Sequence, residues 1–209
     1  QDPNQRLNVG CIGTGDRWKA VGPNAMKYGN VVAVCDVDSK HAGQGSDKVK
    51  EVQGKKGNEK APDSYEDYRK ILDRQDIQVV TIVTPDHWHS PASILACDAG
   101  KHVYVEKPCS HNIREGRLMI EAARRNNRVV QVGTQSRSTA GIQEAMKKLH
   151  DGIIGTVLVA KAWNSQRRGS IGKTQPSDPP ATLDFDLWVG PAPLVPYRKN
   201  LLPSIWRWW

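Results

Sequence analysis

Four segments of this sequence carry residues that could bind a ligand or move a proton, and each follows a short apolar run. They are Gly13-Thr14-Gly15, Asp36, Thr84 to His89 and Glu106-Lys107-Pro108. The run from Val79 to Val83 (VVTIV) is typical of a parallel strand that is buried on both faces. In open α/β sheets, ligands bind outside the carboxyl ends of the strands. The four segments therefore predict one site along one edge of a sheet.

The stretch from Leu7 to Asp36 has the outline of a dinucleotide site. Gly13 permits a tight turn, and Gly15 lets backbone N–H groups approach a pyrophosphate at the start of a helix. Asp36 ends the second apolar run, where a carboxylate would accept both hydroxyls of an adenosine ribose. The expected phosphate donors are the N–H groups of Thr14, Gly15, Asp16 and Arg17. An ordinary glycine turn is the alternative interpretation.

The sequence departs from the dinucleotide fingerprint at its third glycine, which would allow close packing of helix and strand. Trp18 stands at that position. Because the residue before a proline avoids the α region, we expect the first helix to begin at Pro23, after a long phosphate loop. The Arg17 side chain is then a candidate phosphate contact, with a solvated surface charge as the alternative.

Composition and patterning argue against several classes of protein. The chain has 30 Lys and Arg against 22 Asp and Glu, a net charge of +8. The basic residues alternate with acidic ones and no aromatic platform accompanies them, which argues against nucleic-acid binding. No stretch has the apolar length of a membrane span. The four cysteines lack metal-ligand spacing, so we expect them to be small buried apolar residues. Zinc binding by His87 and His89 competes for that loop but needs further ligands.

The order of strand and helix patterns predicts the fold class and the domains. Strand and helix alternate up to about Thr134, which indicates a doubly wound parallel sheet of the Rossmann type. Asn112 followed by Glu115 is typical of a capping box that begins a helix. Beyond Gly155 the pattern changes, and residues 156–163 (TVLVAKAW) alternate like a strand with one solvated face. We expect a polar lead-in over residues 1–6, a dinucleotide-binding domain over 7–134 and an incomplete α/β domain over 135–209.

With these motifs in order, the chain resembles the glucose-fructose oxidoreductase, inositol dehydrogenase and MocA family. Glu106-Lys107-Pro108 at a strand end is that family's most specific short motif, and the resemblance extends to residues 187–193 (LWVGPAP) and the Trp-rich end. It implies a Rossmann domain that holds NAD or NADP, followed by an α/β domain with a mostly antiparallel sheet. It also implies hydride transfer between the nicotinamide and a hydroxyl of a sugar or cyclitol.

The resemblance also implies roles for single residues. Lys107 would lie beside the nicotinamide and hydrogen-bond the reacting hydroxyl, and Pro108 would follow a cis peptide bond. His89 would lie near the cofactor, and we expect Lys107 and His89 to be catalytic; a solvated lysine is the alternative for Lys107. The family's catalytic His or Tyr comes from the second domain, and no such motif precedes Trp209. The remaining expected cofactor contacts are Thr84, Pro85, His87, Trp88, Glu106 and Gln135.

Three functions stay open on this sequence. The first is an NAD-dependent oxidoreductase acting on a carbohydrate-like alcohol, the second a glycosidase that oxidises its sugar transiently, and the third a dinucleotide-binding sensor or scaffold. Asp36 favours NAD, with NADP less favoured, because a carboxylate repels a 2′-phosphate. We expect a small carbohydrate-like substrate and a homo-oligomer formed through the second domain.

Two further expectations concern the chain ends. The resemblance is to a branch often exported with its cofactor, and the first residue is not methionine, so we expect a periplasmic or cell-envelope protein that has lost a leader. Trp206, Trp208 and Trp209 could form the core of the second domain or a platform on which a sugar stacks.

Overall fold

The computed structural model of the chain describes residues 6–58, 60–163, 165 and 169–201. The six strands are β1 (Leu7–Ile12), β2 (Gly29–Cys35), β3 (Asp63–Tyr65), β4 (Val79–Ile82), β5 (His102–Glu106) and β6 (Val130–Gly133). They form one sheet in the order β3-β2-β1-β4-β5-β6, and all neighbouring strands are parallel. This arrangement confirms the predicted doubly wound sheet.

Helices cover both faces of the sheet and continue beyond it. One buried cluster packs Ile71, Ala96 and Met119 against one face, and a second packs Trp18 and Met26 against the other. Helices on both faces follow from parallel strands, because each connection must cross back over the sheet. The helices are α1 (Trp18–Tyr28), α2 (Ser39–Gly54), α3 (Arg69–Leu72), α4 (His89–Asp98), α5 (Ile113–Arg125), α6 (Ala140–His150) and α7 (Phe185–Val189).

The strand order reverses between β1 and β4, and Gly13 lies at this point. Its backbone has a φ of +82°, and a Cβ there would lie 2.7 Å from the carbonyl carbon and oxygen of Val83. A glycine is therefore needed both for the turn and for the close approach of the two strand ends. In doubly wound sheets this reversal opens a crevice in which ligands bind.

Helix α1 begins five residues earlier than predicted. It starts at Trp18 and contains Pro23, so the expectation that it begins at Pro23 was wrong. The residue before this proline is Gly22, which has no Cβ to clash with the proline ring, so the α region stays open to it. A Cβ on Gly22 would lie 2.4 Å from the buried indole of Trp18. The indole at the position of the third glycine is thus accommodated by a glycine one turn later, and the phosphate loop is short.

The capping box at α5 is confirmed. The Asn112 side chain accepts a hydrogen bond from the backbone N–H of Glu115 at 3.0 Å, and the Glu115 carboxylate accepts one from the N–H of His111 at 3.0 Å. Two N–H groups at the helix start are satisfied in this way. The helix ends at Arg125, as predicted from the sequence.

The strand expected over residues 156–163 was wrong, since the structure has no strand there. A strand needs a neighbour that pairs with its N–H and C=O groups, and none of the described residues supplies one. Leu158 and Trp163 are 86% and 78% exposed, and α6 before them has no buried residue. Trp206, Trp208 and Trp209 lie outside the described residues.

Cysteine placement agrees with the sequence for three of the four residues. Cys11, Cys35 and Cys97 are buried and Cys109 is partly exposed, all with free thiols. In the part of the chain that the structure describes, no helix combines the length and the apolar character needed to cross a bilayer.

Candidate functional site

The carboxyl ends of β1, β2, β4 and β5 surround a cleft of about 500 Å³. All four segments that the sequence marks as candidates for ligand binding contribute to its wall. The structure thus brings together residues that lie up to 95 positions apart in the sequence. Three residues that were expected at the site do not line the cleft, namely Thr14, His87 and Gln135. The predicted residues that do are Gly13, Gly15, Asp16, Arg17, Asp36, Thr84, Pro85, Trp88, His89, Glu106 and Lys107.

The turn after β1 presents unpaired donors to the cleft. The N–H of Gly13 donates to the Cys35 carbonyl at 2.8 Å, and the N–H of Thr14 donates to Asp36 Oδ2 at 2.7 Å. Within the described residues, no acceptor faces the N–H groups of Gly15, Asp16 and Arg17. They lie at the start of α1, where the helix dipole favours negative charge, and the first turn carries no acidic residue. Three of the four expected phosphate donors are thus available to an anion.

Asp36 is held rigidly at the end of β2. Its Oδ2 accepts from the Thr14 N–H, and its Oδ1 accepts from the Asp38 N–H at 3.0 Å. Burial raises the pKa of Asp36, and these two backbone N–H groups oppose the rise. The Thr14 hydroxyl lies 3.4 Å from Oδ2, but its single proton has a closer acceptor in the His41 carbonyl at 2.9 Å. Each carboxylate oxygen therefore keeps one lone pair for a hydroxyl of a ligand. This geometry suits a pair of neighbouring hydroxyls, as in the ribose predicted here.

His89 is the first residue of α4 and is 3% exposed. Its Nε2 lies 2.8 Å from the Thr84 carbonyl oxygen and its Nδ1 lies 2.5 Å from the Pro108 carbonyl oxygen. A neutral ring donates to one of these oxygens and only contacts the other, whereas an imidazolium donates to both. In either form the ring joins the loop after β4 to the segment after β5, and both nitrogens face protein carbonyls.

His87 and Trp88 form hydrogen bonds with helix α7, which is distant in the sequence. The Trp88 Nε1–H donates to the Leu187 carbonyl at 3.0 Å, and His87 Nε2 lies 2.9 Å from the Trp188 carbonyl oxygen, which makes it the protonated nitrogen. Burial lowers the pKa of His87, although the Trp188 carbonyl and Asp86 favour its charged form. Sequence reasoning missed this contact with α7. The LWVGPAP motif was the only signal of it, and it carried no indication of where α7 packs.

The segment after β5 has the predicted geometry at its proline, since the Lys107–Pro108 peptide bond is cis. The Glu106 carboxylate is 4% exposed and accepts from Arg17 Nη2 at 2.9 Å and from the Lys107 N–H at 3.2 Å. Gln135 Nε2 lies 3.4 Å from the same carboxylate. Arg17 therefore forms an ion pair across the cleft instead of standing free in solvent. The Lys107 side chain is exposed at the cleft wall.

These groups fit a dinucleotide. An anion would meet three free N–H groups, two hydroxyls would meet Asp36, and the buried Thr84 Oγ1 has no hydrogen-bond partner among the described residues. An unpaired buried hydroxyl is costly and calls for a polar ligand. The described residues contain no group of three or more His, Cys, Asp or Glu side chains placed to hold a metal ion.

Comparison with known proteins identifies the family. Levoglucosan dehydrogenase of Pseudarthrobacter phenanthrenivorans is 33% identical over 160 residues, 74% of this chain and 40% of that protein. A glycosyl hydrolase family 109 protein of Saccharopolyspora erythraea is 28% identical over 160 residues, 75% of this chain and 34% of that protein. A solved structure of a levoglucosan dehydrogenase in complex with NADH has a TM-score of 0.61 at 32% identity, covering 72% of this chain and 41% of that one.

Residues 7–134 match the glucose-fructose oxidoreductase, inositol dehydrogenase and MocA family, described as an oxidoreductase family with an NAD-binding Rossmann fold. The chain belongs to this family, whose Rossmann domain binds NAD. It spans less than half the length of the curated relatives it matches.

Proposed function

We propose that this chain carries the cofactor-binding part of an oxidoreductase that transfers hydride between NAD and a hydroxyl of a sugar or cyclitol. The observation that supports this most is the cleft itself, which joins three free N–H groups, the Asp36 carboxylate and the exposed Lys107 amine. Family membership and the similarity to levoglucosan dehydrogenase support the same reaction class. Bound NAD supplies the hydride acceptor or donor.

The residues divide into three roles in this proposal. The N–H groups of residues 15–17 hold the pyrophosphate and Asp36 holds the adenosine ribose. Lys107 lies on the opposite side of the cleft, where its Nζ can hydrogen-bond the reacting hydroxyl. His89 was expected to be catalytic, but its ring nitrogens both face carbonyls, so we assign it a positioning role through its contact with Pro108.

Lys107 by itself does not complete the chemistry. Oxidation of an alcohol needs a base within hydrogen-bond reach of the hydroxyl proton, and such a base contributes about 10² to 10⁴ in rate. In the resemblance that base is a His or Tyr of the second domain. We therefore propose that residues beyond 209 in a longer form of the protein supply it.

The test compares the 209-residue chain with a form extended to the length of its relatives. Titration of NADH fluorescence measures binding, and NADH absorbance measures turnover on a panel of sugars and cyclitols. We expect both forms to bind NADH and only the extended form to turn over. Lys107→Ala should abolish that turnover and keep NADH binding. Lys70→Ala, which removes an exposed lysine on α3 away from the cleft, is the matched control.

Two results would contradict this proposal. Robust turnover by the 209-residue chain would place the base within it, and His89 would be tested next. Inactivity of the extended form across the whole panel would favour the sensor or scaffold.

A glycosidase that uses NAD transiently is the second candidate, favoured by the similarity to the glycosyl hydrolase family 109 protein. Such an enzyme would cleave glycosides without net formation of NADH. Product analysis by chromatography beside the absorbance assay separates the two reactions.

The cellular compartment of the protein and its oligomeric state remain predictions. Export to the periplasm would be contradicted by a complete gene that places an initiator methionine directly before Gln1 with no leader. Light scattering on the extended form tests the homo-oligomer.

A further inference from the structure

Residues 182–190, here called the strap, form a wall of the cleft that no cofactor motif includes. The strap contains α7, and its side chains Leu183, Leu187 and Trp188 line the cleft. Leu183 and Val189 are 9% and 4% exposed, so the strap is packed and not merely adjacent. It reaches this position from more than 140 residues further along the chain than the β2 end that it covers.

One end of the strap is bound to the loop after β2. The Ser39 N–H donates to the Thr182 carbonyl at 2.9 Å, and the Asp184 N–H donates to the Val37 carbonyl at 2.9 Å. Between them, Asp38 and Leu183 form an antiparallel bridge. This part of the strap is therefore fixed directly beside Asp36, the residue that suits the adenosine ribose.

The other end is bound to the loop after β4. The carbonyls of Leu187 and Trp188 belong to the last turn of α7, where no N–H of the same helix can reach them. The ring N–H groups of Trp88 and His87 satisfy them at 3.0 Å and 2.9 Å. Gly190 then passes over the Trp88 ring with a φ of +55°, and a Cβ there would lie 2.2 Å from Cζ2 of that ring.

We propose that the strap covers the adenosine half of the bound dinucleotide and that its docking limits the rate at which NADH leaves. The proposal rests on the proposed binding of NAD in this cleft. Leu183, Leu187 and the Trp188 ring offer apolar surface beside Asp36, which suits a flat base next to a ribose. Lys107 follows β5, two strands further along the sheet than β1, so the strap leaves the reacting end open.

Weakening the strap should act on NADH release more than on NADH capture, because changes within one binding site appear mostly in the dissociation rate. Trp88→Phe keeps an aromatic ring but removes the N–H donated to Leu187. The dissociation rate should rise about fivefold, the effect of one lost hydrogen bond. Gly190→Ala forces the strap off the Trp88 ring, so a rise of about tenfold or more is expected.

Gly155→Ala is the matched control for Gly190→Ala. Gly155 also has a positive φ, +68°, but a Cβ there would meet no atom within 4 Å. This variant carries backbone strain without displacing the strap, so its NADH release should match that of the wild type. Stopped-flow displacement of NADH from the extended protein measures the rates, and hydrogen exchange of the strap amides reports whether the strap has undocked.

Unchanged NADH release in Trp88→Phe, with strap amides that exchange faster, would overturn the proposal. Trp88→Phe also decides the question if Gly190→Ala fails to fold. A wild-type protein that binds no NADH would overturn both the proposed function and the proposal that the strap covers the dinucleotide. Normal NADH binding by the wild type, with an unchanged dissociation rate in the strap variants, would overturn only the proposal that the strap covers the dinucleotide.

Discussion

Replacing Asp36 by serine should remove most of the preference for NAD over NADP. The Asp36 carboxylate already accepts two backbone N–H groups and has one lone pair left on each oxygen for a ribose hydroxyl. A 2′-phosphate would bring negative charge against this carboxylate, which is half-buried and has no cation paired with it in the described residues. Serine keeps one acceptor oxygen and removes the charge.

The expected size follows from the hydrogen bonds that are lost. A hydrogen bond to a charged group contributes about 1.5 to 3 kcal/mol, and about 1.4 kcal/mol changes a dissociation constant tenfold. Asp36→Ser should therefore weaken NADH binding about 10-fold to 100-fold. NADPH binding should stay the same or tighten, because the repulsion is gone. Fluorescence titration of both dinucleotides against wild type and variant measures the two effects.

A loss of folding would weaken the binding of both dinucleotides, so it cannot produce a fall in affinity for NADH alone. Burial raises the pKa of Asp36 above its value in the unfolded chain, so the folded protein binds this proton more tightly than the unfolded chain does. The ionised carboxylate thus lowers stability above the folded pKa, and a fall in pH through that value relieves the cost. Removing the charge relieves this cost at neutral pH, which partly offsets the loss of one of the two oxygens that accept from the Thr14 and Asp38 N–H groups.

Asp98→Ser is the control, because it removes a carboxylate that accepts from Arg125 and Asn126 at the C-terminus of α4, away from the cleft. It should leave both dinucleotide affinities unchanged. Equal affinity of the wild type for NADH and NADPH would refute the reasoning and would indicate that Lys40 or another base overrides Asp36. An unchanged ratio in Asp36→Ser would refute it as well.

Two further predictions concern the fold around the cleft. Gly13→Ala should destabilise the protein by about 2 to 6 kcal/mol, from positive-φ strain and overlap with the Val83 backbone, whereas Gly57→Ala, with the same φ of +82° but open space, should cost about 1 kcal/mol; equal midpoints in urea melts would contradict this. Burial raises the pKa of Cys97 to about 11, so about one Cys97 thiol in a thousand is ionised at pH 8. A chromogenic disulfide should therefore label Cys109 alone in the native protein and all four thiols in denaturant. Rapid labelling of a second thiol in the native protein would contradict this prediction.

The cleft was predictable because its residues follow buried strands. A run such as Val79 to Ile82 identifies a parallel strand, and parallel strands place their carboxyl ends at one edge of a sheet. The sequence therefore predicted that Asp36, His89 and Lys107 would meet there. It did not predict how they pair, since the Arg17–Glu106 ion pair joins residues 89 positions apart and depends on the side chains that meet across the cleft.

The start of α1 shows where a local rule fails. Proline in a helix pattern usually marks a beginning, and Pro23 was interpreted in this way. The rule assumes a Cβ on the preceding residue, which Gly22 lacks, and burial of Trp18 extends the helix backwards. The error over residues 156–163 has the opposite origin. Alternation predicts which face of a strand would be buried, but pairing requires a neighbour that no local pattern supplies.

The strap also determines how the polypeptide crosses the edge of the sheet. The chain leaves this edge after β6 and returns to it beside β2, four strands away. With strands about 4.8 Å apart, the two crossings are about 19 Å apart. The contacts of residues 182–184 thus fix where the chain returns to the sheet, at the end of β2 and not at the end of β5 that carries Lys107.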